Sequence, residues 1–284
     1  MPRERVSQPV IWLALAARSV PRVRSLLLRL GLPCALLASA LAAGTLVPGG
    51  RAVHAASRPV LARGNLLLAP DHAGDPNNAI IAVKTRRPLV ALTFDDGPDP
   101  RYTPAVLRLL RANHAHATFF VIGERVRAHR ALGRATAAAG NELADHTWSH
   151  ALLPPLGDRA LRREVAAGQR ELAVAGLPES ALFRPPHGYF DARVSRVVAR
   201  AGLRVIGWNQ VVERELRRAR TVSQAAAALA SKVTPGSIIL AHDGRHNRSR
   251  TVAMIARLLP ALRARGLRVV TVSRLLRAAA DRPR

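Results

Sequence analysis

Leu89-Val90-Ala91-Leu92-Thr93-Phe94-Asp95-Asp96-Gly97-Pro98 is an apolar run that closes on two adjacent carboxylates and a turn. A run of this kind reads as a strand buried on both faces, as strands of a parallel sheet covered by helices are. Side chains alternate along a strand, so Asp95 and Asp96 can point to opposite sides before Gly97-Pro98 turns the chain. One carboxylate can then hold a metal while its neighbour takes a proton. Further along, His146-Thr147-Trp148-Ser149-His150 carries two imidazoles four residues apart. That spacing puts both on one side of a helical turn, close enough to share a divalent ion. Two histidines and one aspartate leave positions open for water and substrate, the donor set of a catalytic metal site.

Outward from this strand the pattern repeats. Short apolar runs at 89–94, 117–122, 142–144, 181–183, 204–207, 237–241 and 268–271 predict seven strands. Stretches of helical period at 103–113, 124–139, 158–175, 192–201, 222–232 and 251–265 fall between them. Gly140, Gly176, Gly202 and Gly266 follow helices, where a left-handed stop is wanted. Strand then helix, repeated, is the α/β class with parallel strands. An open doubly wound sheet and a (β/α) barrel both fit. The polar motifs fall after successive strands, as at the carboxyl rim of a barrel, and favour the barrel.

The chain of 284 residues, 49% apolar, is long enough for one catalytic domain and a short extra segment. Its net charge of +26 comes almost wholly from arginine, with lysine only at Lys84 and Lys232. Spread along helix faces, these charges read first as a solvated basic surface, and second as attraction to anionic wall polymers or lipid headgroups. Aromatics make up only 4% and no basic stretch is interleaved with them, so nucleic acid is not expected as a partner. Cys34 is the sole cysteine and lies in the N-terminal apolar segment, so any metal in the body must use His, Asp or Glu.

Residues 1–56 form a basic flank, an uncharged apolar run over 30–47 and a small-residue pattern at Val53-His54-Ala55. This is an export signal with cleavage near Ala55 or, uncut, a membrane-anchor helix that keeps membrane contact; either way the remainder is exported to the cell surface or secreted. Residues 57–85 mix Pro, Gly, Asn and Asp and read as a linker or irregular lead-in. The catalytic body is expected over 86–278, with a tail at 279–284.

The body resembles the polysaccharide deacetylase family, carbohydrate esterase family four, also called the nodulation-type chitooligosaccharide deacetylase homology domain. The residues that carry the resemblance are Thr93 to Pro98, His146 to His150, Arg184-Pro185-Pro186-His187-Gly188-Tyr189, and Leu240-Ala241-His242. The resemblance implies a distorted (β/α) barrel that removes N-acetyl groups from N-acetylglucosamine polymers with a divalent metal. It implies that Asp96, His146 and His150 hold the metal, for which zinc fits best and cobalt, nickel or manganese also fit. Asp95 is then the general base and Arg184 its partner, while His242 protonates the leaving amine. Pro186 and Tyr189 shape the groove, the backbone N–H of Tyr189 or a neighbour meets the developing oxyanion, and Leu240 lines the acetyl pocket.

One family motif is missing. An Asp-Trp pair is usual where this chain has Trp208-Asn209-Gln210-Val211-Val212-Glu213-Arg214-Glu215. Glu213 and Glu215 are the candidates to orient His242 in place of that aspartate, and Trp208 is the candidate aromatic wall. The leading function is a polysaccharide N-deacetylase. The alternatives are a metal-dependent esterase or amidase on another acetylated substrate, or a wall-binding protein with a silent groove.

Overall fold

A computed structural model describes Val60–Leu61 and residues 79–280. The export or anchor segment expected over 1–56 and the last residues of the tail lie outside the described residues. The elements run β1 (Val60–Leu61), β2 (Leu89–Gly97), α1 (Thr103–Ala112), β3 (Thr118–Val121), α2 (Gly123–Ala128), α3 (Arg130–Ala138), β4 (Glu142–Asp145) and α4 (Asp158–Val174). They continue with β5 (Leu182–Phe183), β6 (Tyr189–Phe190), α5 (Ala192–Arg200), β7 (Arg204–Val205), β8 (Gln210–Val211) and α6 (Val212–Arg218). The chain closes with α7 (Val222–Lys232), β9 (Ile238–His242), α8 (Ser249–Ala264), β10 (Arg268–Val270) and α9 (Val272–Ala280).

The main sheet runs β7-β5-β4-β3-β2-β9-β8, with β10 beside the first half of β2, and every pairing in it is parallel. All seven expected strands form. The sheet curls into a distorted (β/α) barrel whose end strands β7 and β8 do not pair with each other. Residues 79–83 run alongside the sheet: Ile80 bridges to Ile206, just after β7, and Ala82 to Ser237, just before β9. Part of the stretch read as an irregular lead-in is therefore tied to the barrel. Gly236 makes this possible, because a Cβ there would overlap the Val83 carbonyl, and its φ of 86° suits glycine alone.

Alternation along β2 sorts the core into two layers. Val90, Leu92 and Phe94 face outward onto the apolar stripes of α1, α7 and α8, with Val106, Leu229, Ile255 and Leu258 among their neighbours. Leu89 and Ala91 face inward, together with Phe120, Ala144, Ile206, Ile238 and α9 residues Val272 and Leu275. Covered on both sides, β2 has no exposed residue from Leu89 to Gly97. Local signals agree with the elements. Asp191 caps α5 by accepting from the Val194 N–H, and Thr221 and Gln224 form a reciprocal capping box at α7.

Several elements depart from the pattern read off the chain, α9 and β6 among them. The helix expected over 124–139 is two helices, α2 and α3, meeting at His129, whose φ of −135° and ψ of 45° are not helical. The stretch after Trp208 forms the short strand β8 and helix α6, which the periodicity did not predict. Both are brief, and Glu213 to Arg218 is too charged to show an apolar stripe.

Candidate active site

The carboxyl ends of β2, β4, β5 and β9 converge on one cluster. Asp95 follows Leu89, Ala91 and Thr93 on the inward face of β2. Regular alternation would send Asp96 outward. Instead the register with β3 shifts between Asp95 and Gly97, and Asp96 sits in the left-handed region at φ 74°. This bulge swings the second carboxylate round to the side of the first, so the two do not point opposite ways. His146 Nε2 lies 3.8 Å from Asp95 Oδ2 and 3.7 Å from Asp96 Oδ1. His150 Nε2 is 3.1 Å from the same Asp96 oxygen.

The two histidines do not share a helical turn. The segment after β4 is a loop in which Thr147 and His150 both have left-handed backbone, at φ 68° and 63°. Asp145 holds this loop by accepting the Thr147 N–H at 2.8 Å. Non-glycine residues with positive φ are uncommon, and Asp96, Thr147, His150 and His187 all border one site, where strain is often stored for function.

Asp96, His146 and His150 each offer a ligand atom, all within 4.8 Å of one another. His146 Nδ1 is 2.7 Å from the Arg184 carbonyl, a bond only an N–H can make, so neutral His146 presents a bare Nε2 to the cluster. Burial lowers the His146 pKa to about 4, against the pull of Asp95 and Asp96, so the ring is neutral at physiological pH. Burial pushes the Asp96 carboxyl up, but the His150 contact and the charges of His146 and His242 outweigh it and hold it well below the usual range. Its buried Oδ1 has no well-aligned hydrogen bond. An ionised oxygen facing two ring nitrogens without a donor is chemistry that fits a divalent cation.

Asp95 is gripped by Arg184, a fully buried guanidinium. Arg184 Nη1 donates to Asp95 Oδ1 at 2.6 Å and to Thr93 Oγ1 at 2.7 Å. Nε donates to the Ile206 carbonyl at 3.1 Å and Nη2 to that of Gly207 at 2.9 Å. Its plane lies over Phe120 at 4.0 Å and near Trp208 at 5.4 Å from the ring centroids. Burial lowers the Arg184 pKa while Asp95 opposes the shift, and the group stays cationic. Four hydrogen bonds and two rings leave Asp95 one orientation, with Oδ2 toward the site.

His242 ends β9, in register with Asp95. Its Nδ1 is 3.2 Å from Glu213 Oε1, and that oxygen also accepts the His242 backbone N–H at 3.2 Å and the Thr251 hydroxyl at 3.1 Å. Burial lowers the His242 pKa, but Glu213, then Asp95 and Asp96, raise it above the ordinary value overall. Glu213 is correspondingly lowered: burial raises it and the His242 contact outweighs that. Glu215 does not reach His242. It is two residues on along α6, turned away, and pairs with Lys232 Nζ at 2.8 Å and Arg218 at 3.8 Å. Of the two glutamates, Glu213 is the one that lies beside His242.

The sequence model of the polysaccharide deacetylase family matches residues 82–206. A peptidoglycan-N-acetylglucosamine deacetylase of Bacillus cereus is 37% identical over 195 residues, covering 69% of this chain and 91% of the relative. The chain belongs to the polysaccharide deacetylase family. A chitooligosaccharide deacetylase of Sinorhizobium fredii is 40% identical over 194 residues, covering 64% of this chain and 89% of that protein. Among solved structures, a family 4 carbohydrate esterase from Streptomyces lividans in complex with acetate superposes with a TM-score of 0.58 at 32% identity. That likeness covers 64% of this chain and 91% of the other.

In this polysaccharide deacetylase the loop after β5 forms one side of the site. Pro186 is buried in a single 3-10 turn, Pro186–Gly188, and Tyr189 is half-buried. The Tyr189 N–H donates to the Pro186 carbonyl and the Gly188 N–H to that of Pro185 at 3.0 Å. The Arg184 N–H is taken by the Asp145 carbonyl, and the two prolines have none. The Tyr189 and Gly188 amides are therefore both engaged within this turn. The exposed His187 ring packs edge-on to His150 with centroids 4.7 Å apart. Leu240 lies on the inward face of β9 beside Ile238 and His242 and is buried. Trp208 packs into the inner core under Arg184.

The sequence reading missed Arg248, whose Nη2 is 3.2 Å from Asp96 Oδ2, and Thr251, which holds Glu213. It also missed Asp243, which is fully buried and accepts from the Thr103 hydroxyl beside the turn at Gly97. Burial pushes the Asp243 carboxyl up to about 7; Thr103 opposes this, and Asp96, Asp99 and Asp95 add to it. Nothing in the pattern singled out Arg248 or Thr251 among so many arginines and helix residues. Asp243, next to His242, carries no signal of its own in the sequence.

Proposed function

We propose that this protein is a metal-dependent N-deacetylase of N-acetylglucosamine-containing polysaccharide, peptidoglycan or a chitin-like polymer, releasing acetate. The observation that carries the reading is the meeting, at one barrel rim, of the Asp96–His146–His150 cluster with Asp95 clamped by Arg184 and His242 held by Glu213. Asp96, His146 and His150 would hold the cation, best zinc with cobalt, nickel or manganese as substitutes. When bound, such an ion supplies Lewis acidity, making a water acidic and a carbonyl electrophilic.

The chain's own residues then divide the proton traffic. Asp95 Oδ2 takes the proton from the attacking water, because Oδ1 is occupied by Arg184. The carbonyl oxygen gains charge as the carbon becomes tetrahedral. His242, kept protonated by Glu213, gives its proton to the sugar nitrogen as the C–N bond breaks, since an amide anion is too poor a leaving group. Leu240 borders the space for the acetyl methyl, and Tyr189 and Pro186 shape the sugar face. The body over 86–278, with its lead-in from residue 57, is the catalytic unit. Residues 1–56 direct its export or anchor it at the cell surface. No helix among the described residues is long and apolar enough to cross a membrane.

The test is acetate release from N-acetylglucosamine oligomers and from peptidoglycan, by protein stripped with chelator and then reloaded with zinc or cobalt. Release that returns with metal supports the reading. No release from either polymer by fully loaded protein would overturn it.

A further inference from the structure

We propose that Arg248 is a positioning residue for the metal ligand Asp96, a second arginine clamp matching that of Arg184 on Asp95. The inference rests on the metal-site reading above.

Arg248 sits at the N-terminal boundary of α8, and its side chain is largely buried. Nε donates to the Gly244 carbonyl at 2.8 Å and Nη2 to Asp96 Oδ2 at 3.2 Å. Gly244 in turn lies directly on Asp96, since a Cβ at this glycine would overlap the Asp96 carbonyl. The guanidinium is thus fixed at one end to the very loop that packs on the residue it grips. The two adjacent carboxylates end up symmetrically treated. Each gives one oxygen to a buried or nearly buried arginine and turns the other toward the histidines: Asp95 Oδ2 to His146, Asp96 Oδ1 to His146 and His150.

The consequence for Asp96 is specific. Its backbone is in the left-handed region at a bulge, where regular strand alternation no longer sets the direction of the side chain. With Oδ2 engaged, Asp96 can offer a cation Oδ1 alone, in one direction. A partner of this kind orients a ligand in advance, and removing one typically costs ten- to a hundred-fold in metal affinity. The same turn of α8 also reaches the other half of the site, because Thr251, three residues on, donates to Glu213. One helical turn therefore braces both the ligand Asp96 and the Glu213–His242 pair.

The experiment compares wild type, Arg248→Met and Arg248→Lys for zinc affinity by competition with a chromophoric chelator, and for the visible spectrum of the cobalt-loaded protein. Melting of the metal-free proteins checks folding. The expected result is a loss of about ten-fold or more in zinc affinity for Arg248→Met, with a cobalt spectrum altered by the freed carboxylate. Arg248→Lys keeps the charge but not the two-ended grip, so it falls between. Wild-type affinity and spectrum in folded Arg248→Met would overturn the proposal, and so would tighter binding, which would make Arg248 an electrostatic brake. If Arg248→Met does not fold, the lysine variant decides, and a wild-type spectrum and affinity there overturn the clamp. Failure of wild type to bind any divalent ion would instead remove the metal-site reading itself.

Discussion

Replacing Glu213 with glutamine removes a charge from His242 and little else, so it isolates the chapter of the mechanism that concerns the leaving group. The glutamine oxygen can still accept from the His242 backbone N–H and the Thr251 hydroxyl, as Glu213 Oε1 does at 3.2 and 3.1 Å. What disappears is the anion 3.2 Å from His242 Nδ1. At that distance Coulomb attraction would be about 5 kcal/mol at an effective dielectric of 20, a ceiling before solvent and neighbouring charges are counted. Opposite charges this close shift a pKa by about 1–3 units. Asp95 and Asp96 remain and keep part of the elevation. The alkaline limb of the kcat profile, which reports loss of the His242 proton, should therefore move to lower pH. The stability sign follows. A histidine raised by its partner stabilises the fold fully below its unfolded pKa, and that stabilisation fades as pH rises through the folded pKa. The variant should thus be less stable than wild type in acid, with the gap closing in alkali. The assay is acetate release across pH with the same saturating metal in both proteins, alongside denaturant titrations at the two extremes. An unmoved alkaline limb, with both proteins fully loaded and folded, would refute the claim that Glu213 holds His242 protonated.

Arg184→Met should cost about 3–5 kcal/mol in denaturant titration, because it strands the buried Asp95 charge, and should abolish acetate release. Asp243 is raised to about 7 from 3.8, so the folded protein keeps a proton there that the unfolded chain has lost. Relative to Asp243→Asn, metal-free wild type should lose roughly 4 kcal/mol of stability as pH climbs from 4 to 7, then no more; a pH-independent difference would contradict this. Chelation should lower the melting temperature, since zinc at a hundred times its dissociation constant stabilises by about 2.7 kcal/mol, and His150→Ala should abolish that zinc dependence.

The barrel strands were legible because parallel strands covered on both faces must be apolar throughout, and 89–94 or 237–241 can hardly be anything else. The residue types of the cluster were legible too, since chemistry restricts what can hold a cation. The directions of those side chains were not. A period of two sends Asp95 and Asp96 apart, and a four-residue spacing puts His146 and His150 on a helix. The folded chain instead uses a bulge at Asp96 and a strained turn at Thr147 to gather all four. Left-handed residues other than glycine leave only a faint mark in a sequence, an enrichment in Asn, Asp and His. Glu213 and Glu215 could be separated only by the fold, because β8 and α6 decide which one faces β9. Arg248 was hidden by composition: one arginine in a chain full of them carries no signal until Asp96 is found beside it.

The central claim is that the adjacent carboxylates have different jobs, Asp96 holding a divalent ion and Asp95 taking the proton. The most direct measurement is zinc content and acetate release, on the same preparations, for wild type, Asp95→Asn and Asp96→Asn. The account predicts one zinc per chain and no turnover for Asp95→Asn, and loss of both zinc and turnover for Asp96→Asn. Equal loss of zinc from the two variants, or turnover by Asp95→Asn, would contradict it.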